Sequence, residues 1–481
     1  MNRKPDRKHH LGVVSNESGA NAVAKLSRRV FLGSAAALTA GCAVVPRRVV
    51  GGRGFTPPSK RLNIAGIGIG GVGRSFLRGC AKESNIIALC DVDDKYAEPV
   101  FKTYPQAKRY RDYREMLDHE KGIDGVVIAT PDHTHAVIAM EAIRKGKHVL
   151  CVKPLTHTIH EARTLAEAAR KAGIATQVTA SSRAADQACE LCETIWDGAI
   201  GEVREVHCWS NRPLWPQGME RPAGEDPVPS NLDWDLWIGP APMRPFKGVW
   251  PDGHLALRQV DGKQSRGVYH PWNFRGWWDF GTGALGDMGC HHFNTLFRAL
   301  KLGHPISIEA SSTRLLPETY PSASIVTYEF AAREGMPPLT LTWYDGGLKP
   351  SRPRELGDAP MPNMGNLYVG AKGKILGSEN NEGRIIPEEK RRRYKMPPKT
   401  LPRKPWKEDI VTAEWIAACS GGEPASCNFD VGGLLAEVVL LGNIAIRTGK
   451  KLRWNASEMK FTNDESANKF LREPYRTGWS L

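Results

Sequence analysis

The chain has 481 residues, enough for two or three domains, and its 41% hydrophobic and 25% charged composition is that of a globular protein. The formal net charge is +14, but residues 1–41 hold seven Lys or Arg against Asp6 and Glu17, so the remainder carries about +9 and favours anionic partners. No uninterrupted apolar stretch approaches the ~20 residues of a membrane span. The basic run Lys390–Arg393, flanked by Glu388, Glu389 and prolines, reads as a solvated loop, so nucleic acid is not an expected partner.

Residues 1–60 read as leader and linker. Ser27-Arg28-Arg29-Val30-Phe31-Leu32 resembles a twin-arginine export motif, and an Ala-rich, mildly apolar stretch follows. Leu38-Thr39-Ala40-Gly41-Cys42 is similar to a lipoprotein cleavage box, with Thr39 where a larger aliphatic residue is usual. Two outcomes stay open: a lipid anchor at Cys42 on the outer face of a membrane, or cleavage nearby and release into the periplasm. The export machinery is an expected partner, and because that route carries folded proteins a cofactor can be loaded first.

From Arg61 to Val178 strands alternate with helices, the pattern of a doubly wound α/β domain. Apolar Leu62, Ile64 and Ile67 lead into Gly68-Ile69-Gly70-Gly71-Val72-Gly73, where Gly68, Gly70 and Gly73 fit G-x-G-x-x-G. The first glycine permits a tight turn, the second a close approach of backbone to pyrophosphate, and the third helix–strand packing. Val72, Phe76, Leu77 and Cys80 follow at helical spacing. The run Ile86–Cys90 ends in Asp91, where this fold holds the ribose hydroxyls. A carboxylate there repels a 2′-phosphate and no Arg directly follows, so the cofactor expected is NAD rather than NADP. Further on, Tyr113–Leu117, Ala136–Arg144 and Ile159–Lys171 read as helices, and Gly125–Ala129, His148–Val152 and Ile174–Val178 as strands.

Residues 179–481 change character. They hold most of the tryptophans and long Pro-containing loops (212–242). Strand-like runs follow at Ser307–Ala310, Ser324–Phe330, Leu339–Tyr344 and Asn366–Val369, and closing helices near 411–447. This fits a second, sheet-based α+β domain. Cys189-Glu190-Leu191-Cys192 has redox or metal spacing but lies in a helical run with no second pair, so it reads as packing.

Three motifs carry a resemblance. Ile123-Asp124-Gly125-Val126-Val127-Ile128-Ala129-Thr130-Pro131-Asp132-His133-Thr134-His135, Gly146-Lys147-His148-Val149-Leu150-Cys151-Val152-Lys153-Pro154-Leu155 and Gly283-Ala284-Leu285-Gly286-Asp287-Met288-Gly289-Cys290-His291 stand in order behind the glycine loop. Together they resemble the glucose–fructose oxidoreductase, inositol dehydrogenase and rhizopine-catabolism (Gfo/Idh/MocA) family, from Arg61 to the C-terminus. The resemblance implies an NAD-binding Rossmann domain plus an open, mainly antiparallel sheet domain, with substrate held between them, and a homo-oligomer built on the open sheet.

It further implies that Thr130, Pro131 and His135 lie along the cofactor. Lys153 would contact both cofactor ribose and substrate hydroxyl, with Asp287 and His291 completing the catalytic set. An i, i+4 pair shares one helix face, and a histidine of ordinary pKa near 6.5 suits a general base. Arg275, Trp277, Trp278 and His292 are candidate substrate contacts. Adjacent helix residues point about 100° apart, so His291 and His292 are not expected to share a metal. Three departures concern substrate more than cofactor: Val152 replaces the glutamate of E-K-P, Asn294 replaces an aspartate, and Thr179-Ala180-Ser181-Ser182 stands where exported relatives show G-N-Q.

The expectation is an exported oxidoreductase moving hydride between a sugar or cyclic polyol and tightly held NAD. Two alternatives remain: an NAD-recycling glycosidase or lyase acting through a transient keto-sugar, and a cofactor-bearing binding protein without turnover.

Overall fold

A computed structural model of the chain describes residues 61–259, 266–378, 383–404 and 409–481. The twin-arginine motif and Cys42 lie outside the described residues.

Six strands form a parallel sheet: β1 (Asn63–Ile67), β2 (Asn85–Cys90), β3 (Lys108–Tyr110), β4 (Gly125–Ile128), β5 (His148–Cys151) and β6 (Thr176–Val178). Their order is β3-β2-β1-β4-β5-β6, which reverses between β1 and β4. At such a reversal the crossover helices diverge, leaving a crevice beyond the strand ends where this fold binds ligands. Every residue of β4 is buried, as a central parallel strand covered on both faces requires. Helix Ile159–Ala172 starts at a reciprocal cap between Thr158 and Glu161 and ends at left-handed Gly173, with Ala162, Leu165 and Ala169 buried on one face.

The second sheet has nine strands: β7 (Val203–Trp209), β8 (Ser307–Ser312), β9 (Ser324–Phe330), β10 (Leu339–Tyr344), β11 (Gly365–Gly370), β12 (Gly373–Gly377), β13 (Gly383–Ile386), β14 (Leu452–Asn455) and β15 (Lys460–Phe461), in the order β13-β12-β11-β7-β10-β9-β8-β14-β15. Only β7 and β10 pair in parallel. β9 alternates buried and half-buried residues, so one face meets helices. Helix Phe429–Thr448 packs on β8, on β9, on helix Gly283–Ala299 and on helix Ile159–Ala172. It therefore joins the second sheet to the first.

One sequence expectation is corrected here, the loop at Lys390–Arg393. Helix Phe429–Thr448 is long and apolar enough to cross a membrane, with mean hydropathy 1.8, although Glu437 and Asn443 interrupt its run; 83% of that window is buried inside the protein, which marks a core helix. Lys390–Arg393 is the end of a short helix, Glu388–Arg393, rather than a loop. Its arginines pair with Glu388 and Glu389 at i+3 and i+4 spacing. Cys189 and Cys192 are buried and unpaired in helix Asp186–Trp196.

Candidate active site

A cleft opens at the carboxyl ends of β1, β2, β4 and β5. Gly68, Gly71, Asp91, Thr130, Pro131 and Lys153 line it from the first sheet. Trp237, His270, Trp272 and Arg275 close it from the long loops. That a ligand crevice forms here follows from the strand order alone; the loops give it a roof.

The glycine loop is tightly constrained. Gly68 has φ +75°, and a Cβ there would lie 2.6 Å from the Thr130 nitrogen. A Cβ on Gly73 would lie 2.5 Å from the Gly68 carbonyl. A Cβ on Gly70 would meet the ring of Tyr96 at 2.2 Å, so this second glycine makes room for Tyr96 as well as for any phosphate. The α-helix begins at Arg74, behind a π-helical turn over Ile69–Gly73 that is broken at Gly71. The Asp91 carboxylate accepts from the Gly70 N–H at 2.9 Å and from the Asp93 N–H at 3.0 Å. Burial raises its pKa against the pull of those two amides. One carboxylate thus organises the loop and faces the cleft, and the residues present fit a dinucleotide.

Lys153 and Arg275 line the cleft and belong to an ion cluster behind it; Asp287 and His291 are not among the lining residues. Lys153 Nζ donates to Asp287 Oδ1 at 2.5 Å and to the Asp287 carbonyl at 2.6 Å. Arg275 Nε donates to the same Oδ1 at 2.9 Å. Burial would raise the Asp287 pKa, but the Lys153 ammonium and the Arg275 guanidinium prevail and hold it well below the usual carboxylate range. His291 lies one turn further along helix Gly283–Ala299. Burial, then the Lys153 charge, push its pKa down to about 3; Asp287 opposes, while His292 and Arg212 lower it further. The ordinary value expected from sequence is corrected: the imidazole is neutral across the working pH range.

Of the candidate cofactor contacts, Gly68, Asp91, Thr130, Pro131 and Lys153 line the cleft. Gly70, Gly73 and His135 do not: His135 is fully buried, with Nδ1 2.9 Å from the Pro154 carbonyl and Nε2 2.8 Å from the Thr130 carbonyl. It braces the loops that carry Pro131 and Lys153. Of the candidate substrate contacts, Arg275 lines the cleft. Trp277 and Trp278 are core residues, their indole N–H groups bound to the Val268 and Leu316 carbonyls. His292 is fully buried with Nδ1 2.7 Å from Asn366 Oδ1.

Sequence reasoning missed Trp272, Tyr96, His270 and Trp479, all in the cleft wall. Trp272 holds φ +78° and ψ −46°, a strained conformation for a bulky residue, with its ring 37% exposed and the Arg275 guanidinium 4.2 Å from its centroid. His270 Nε2 lies 3.1 Å from Asp93 Oδ2 while its Nδ1 accepts from the Trp237 indole at 3.2 Å, tying the roof to the first sheet. Two departures noted in the sequence touch: Asn294 Nδ2 donates to the Ser181 carbonyl, and its Oδ1 accepts from Arg183 at 2.7 Å.

Comparisons with known proteins agree with this geometry. Residues 62–180 match the Gfo/Idh/MocA description "Oxidoreductase family, NAD-binding Rossmann fold", and residues 207–333 and 409–481 match "Oxidoreductase family, C-terminal alpha/beta domain". Inositol 2-dehydrogenase of Salmonella typhimurium is 30% identical over 146 residues, 29% of this chain and 43% of that protein. Glucose-6-phosphate 3-dehydrogenase of Bacillus subtilis is 25% identical over 149 residues, 31% of this chain and 41% of that protein. The matched stretch spans under half the length of these curated relatives. The WlbA dehydrogenase of Bordetella pertussis, solved with NADH and UDP-GlcNAcA, superposes with a TM-score of 0.56 over 82% of this chain and 99% of its own, at 15% identity, a likeness of fold.

Proposed function

The chain belongs to the Gfo/Idh/MocA oxidoreductase family, with an NAD-binding Rossmann domain, and from that premise we propose that it transfers hydride between a sugar or cyclic polyol CH–OH and NAD that it keeps bound. The observation that carries this reading is the single cleft in which the glycine loop, Asp91 and Lys153 share one wall, with Lys153 joined to the helix bearing His291. Relatives named for inositol and glucose 6-phosphate support a ring-hydroxyl substrate.

Bound NAD supplies the hydride acceptor. The rest falls to side chains. Asp287 and its own carbonyl fix the Lys153 ammonium, which donates a hydrogen bond to the substrate hydroxyl and stabilises the developing alkoxide. Neutral His291 takes the hydroxyl proton, next to the Lys153 ammonium that stabilises the alkoxide. Trp272 offers an exposed aromatic face to the sugar ring. Ser27–Leu32 supports export, and a retained cofactor suits a compartment where free NAD is scarce.

The test is to purify the protein without added nucleotide, denature it, and identify what is released. One NAD or NADH per chain supports a retained cofactor and directs substrate screening to sugars that react without external acceptor. A protein that is empty and binds no NAD overturns the reading.

A further inference from the structure

We propose that residues 472–481 form a strap closing the adenosine end of the cleft, with Trp479 as a cofactor-contacting wall, so that NAD leaves only when the strap lifts. This rests on the reading that the cleft holds NAD.

The strap is fastened step by step. The Glu473 carboxylate lies 3.5 Å from His157 Nδ1 and 3.5 Å from the Arg447 guanidinium. The Tyr475 hydroxyl donates to Glu161 at 2.5 Å. Arg476 donates its backbone N–H to the Pro240 carbonyl at 2.9 Å and its Nε to the Gly239 carbonyl at 3.0 Å, and its guanidinium grips the Asp235 carboxylate. The Leu481 carbonyl accepts from Arg144 at 2.9 Å. Between these anchors Trp479 enters the cleft wall, with the Arg114 guanidinium 4.8 Å above its ring and the Tyr113 ring 6.5 Å away.

The strand order identifies the end that is closed. Lys153 follows β5, on one side of the β1–β4 reversal. Asp91 follows β2 on the other, and Arg111, Asp112 and Tyr113 follow β3 beyond it; of these cleft residues Tyr113 faces the Trp479 ring. With the ribose carboxylate at Asp91, the adenine ring falls on the β3 side, against Trp479, and the redox end falls beside Lys153. Leu236 and Trp237, which line the same end, sit on helix Trp234–Ile238, and Arg476 clamps that helix through Asp235. One segment therefore contributes a wall and fastens a second.

The fastenings suit a latch. The Asp235 side chain is 64% exposed and that of Arg476 19%. A partly exposed ion pair is weak, so the part of the segment around Arg476 and Trp479 opens locally, while Tyr475 and Glu473 hold its root on the buried Glu161 and His157 side chains.

The experiment compares wild type with Trp479→Ala and Arg476→Ala, each loaded with NAD, by stopped-flow displacement. Both variants are expected to release NAD roughly ten- to a hundredfold faster, the effect of losing one base-stacking aromatic, with the melting temperature of the nucleotide-free protein unchanged. Release rates equal to wild type in both variants overturn the strap while leaving the cofactor reading intact. A wild type that binds no NAD overturns the cofactor reading and the strap with it. Should either variant misfold, limited trypsin cleavage after Arg476 in wild type decides: cleavage slowed by NAD supports the strap, because coupling is reciprocal, and equal rates with and without NAD overturn it.

Discussion

Lys153 Nζ stands 2.5 Å from Asp287 Oδ1, and Arg275 shares the same oxygen at 2.9 Å. The pair links the two sheets: Lys153 follows β5 and Asp287 rides on helix Gly283–Ala299. Replacing Lys153 by Met removes the donor to the substrate hydroxyl but leaves Arg275 on the carboxylate. Turnover is expected to fall about 10²- to 10⁴-fold. Unfolding free energy should drop by less than the ~3–5 kcal/mol that a fully orphaned buried charge costs. Steady-state kinetics with a urea titration measures both, and a variant retaining half of wild-type turnover would remove Lys153 from the chemistry.

His291 makes a prediction about pH. A general base works when deprotonated, and burial with the Lys153 charge places its pKa at about 3. From pH 8 down to pH 5 it therefore stays unprotonated, and kcat/KM should show no acid limb belonging to it. His291→Gln should cost about 10²- to 10⁴-fold in kcat while the amount of NAD bound is unchanged. An acid limb near pH 6.5 in kcat/KM, which reports the free enzyme, that disappears in His291→Gln would overturn the depressed pKa of His291.

How much of this was legible in the sequence follows from which signals are local. β9 and β10 have the bounds that the runs Ser324–Phe330 and Leu339–Tyr344 predict, because β-branched alternation marks them. The glycine loop, Asp91 and the Asp287/His291 spacing are likewise short-range patterns. β3 escaped because Lys108-Arg109-Tyr110 is an edge strand with no buried residue. His135 sits at the right place in its motif, but a helix can turn a ring toward cofactor or core, and here two buried carbonyls take it. Residue type does not separate Trp277 and Trp278, which are core, from Trp272, which lines the cleft; the left-handed backbone at Trp272 is a tertiary outcome. Trp479 reaches the cleft through contacts with segments far away in sequence, which no local pattern encodes.

Trp272 separates strain from function. A glycine accepts φ +78° without penalty, so Trp272→Gly relieves backbone strain of about 1–3 kcal/mol. It also loses the Arg275 contact and gains unfolded-state entropy. The melting temperature should therefore stay close to wild type, while KM for the sugar rises roughly five- to tenfold through loss of the stacking face. A KM equal to wild type would reduce Trp272 to a wall of the cofactor cleft.

His157 sets the alkaline edge of stability. Burial opposes its charge, but the carboxylates of Glu473, Glu161 and Asp132 prevail and raise its pKa to about 9. In the unfolded chain the value is near 6.5. The stabilisation is therefore complete below about pH 6.5 and is lost as pH rises through 9. His133 and His291 run the other way: burial and neighbouring positive charge push each down to about 3, so below about pH 6.5 the unfolded chain takes up protons that the native state refuses. Stability should peak near pH 6.5 and decline on both sides. In His157→Gln the alkaline decline should flatten while the acid decline persists, as read from urea midpoints at about pH 5, 6.5, 8 and 9.5. Glu473 anchors the strap as well as His157, so the same rise in pH should speed NAD release from wild type and leave the pH dependence of release in His157→Gln flat.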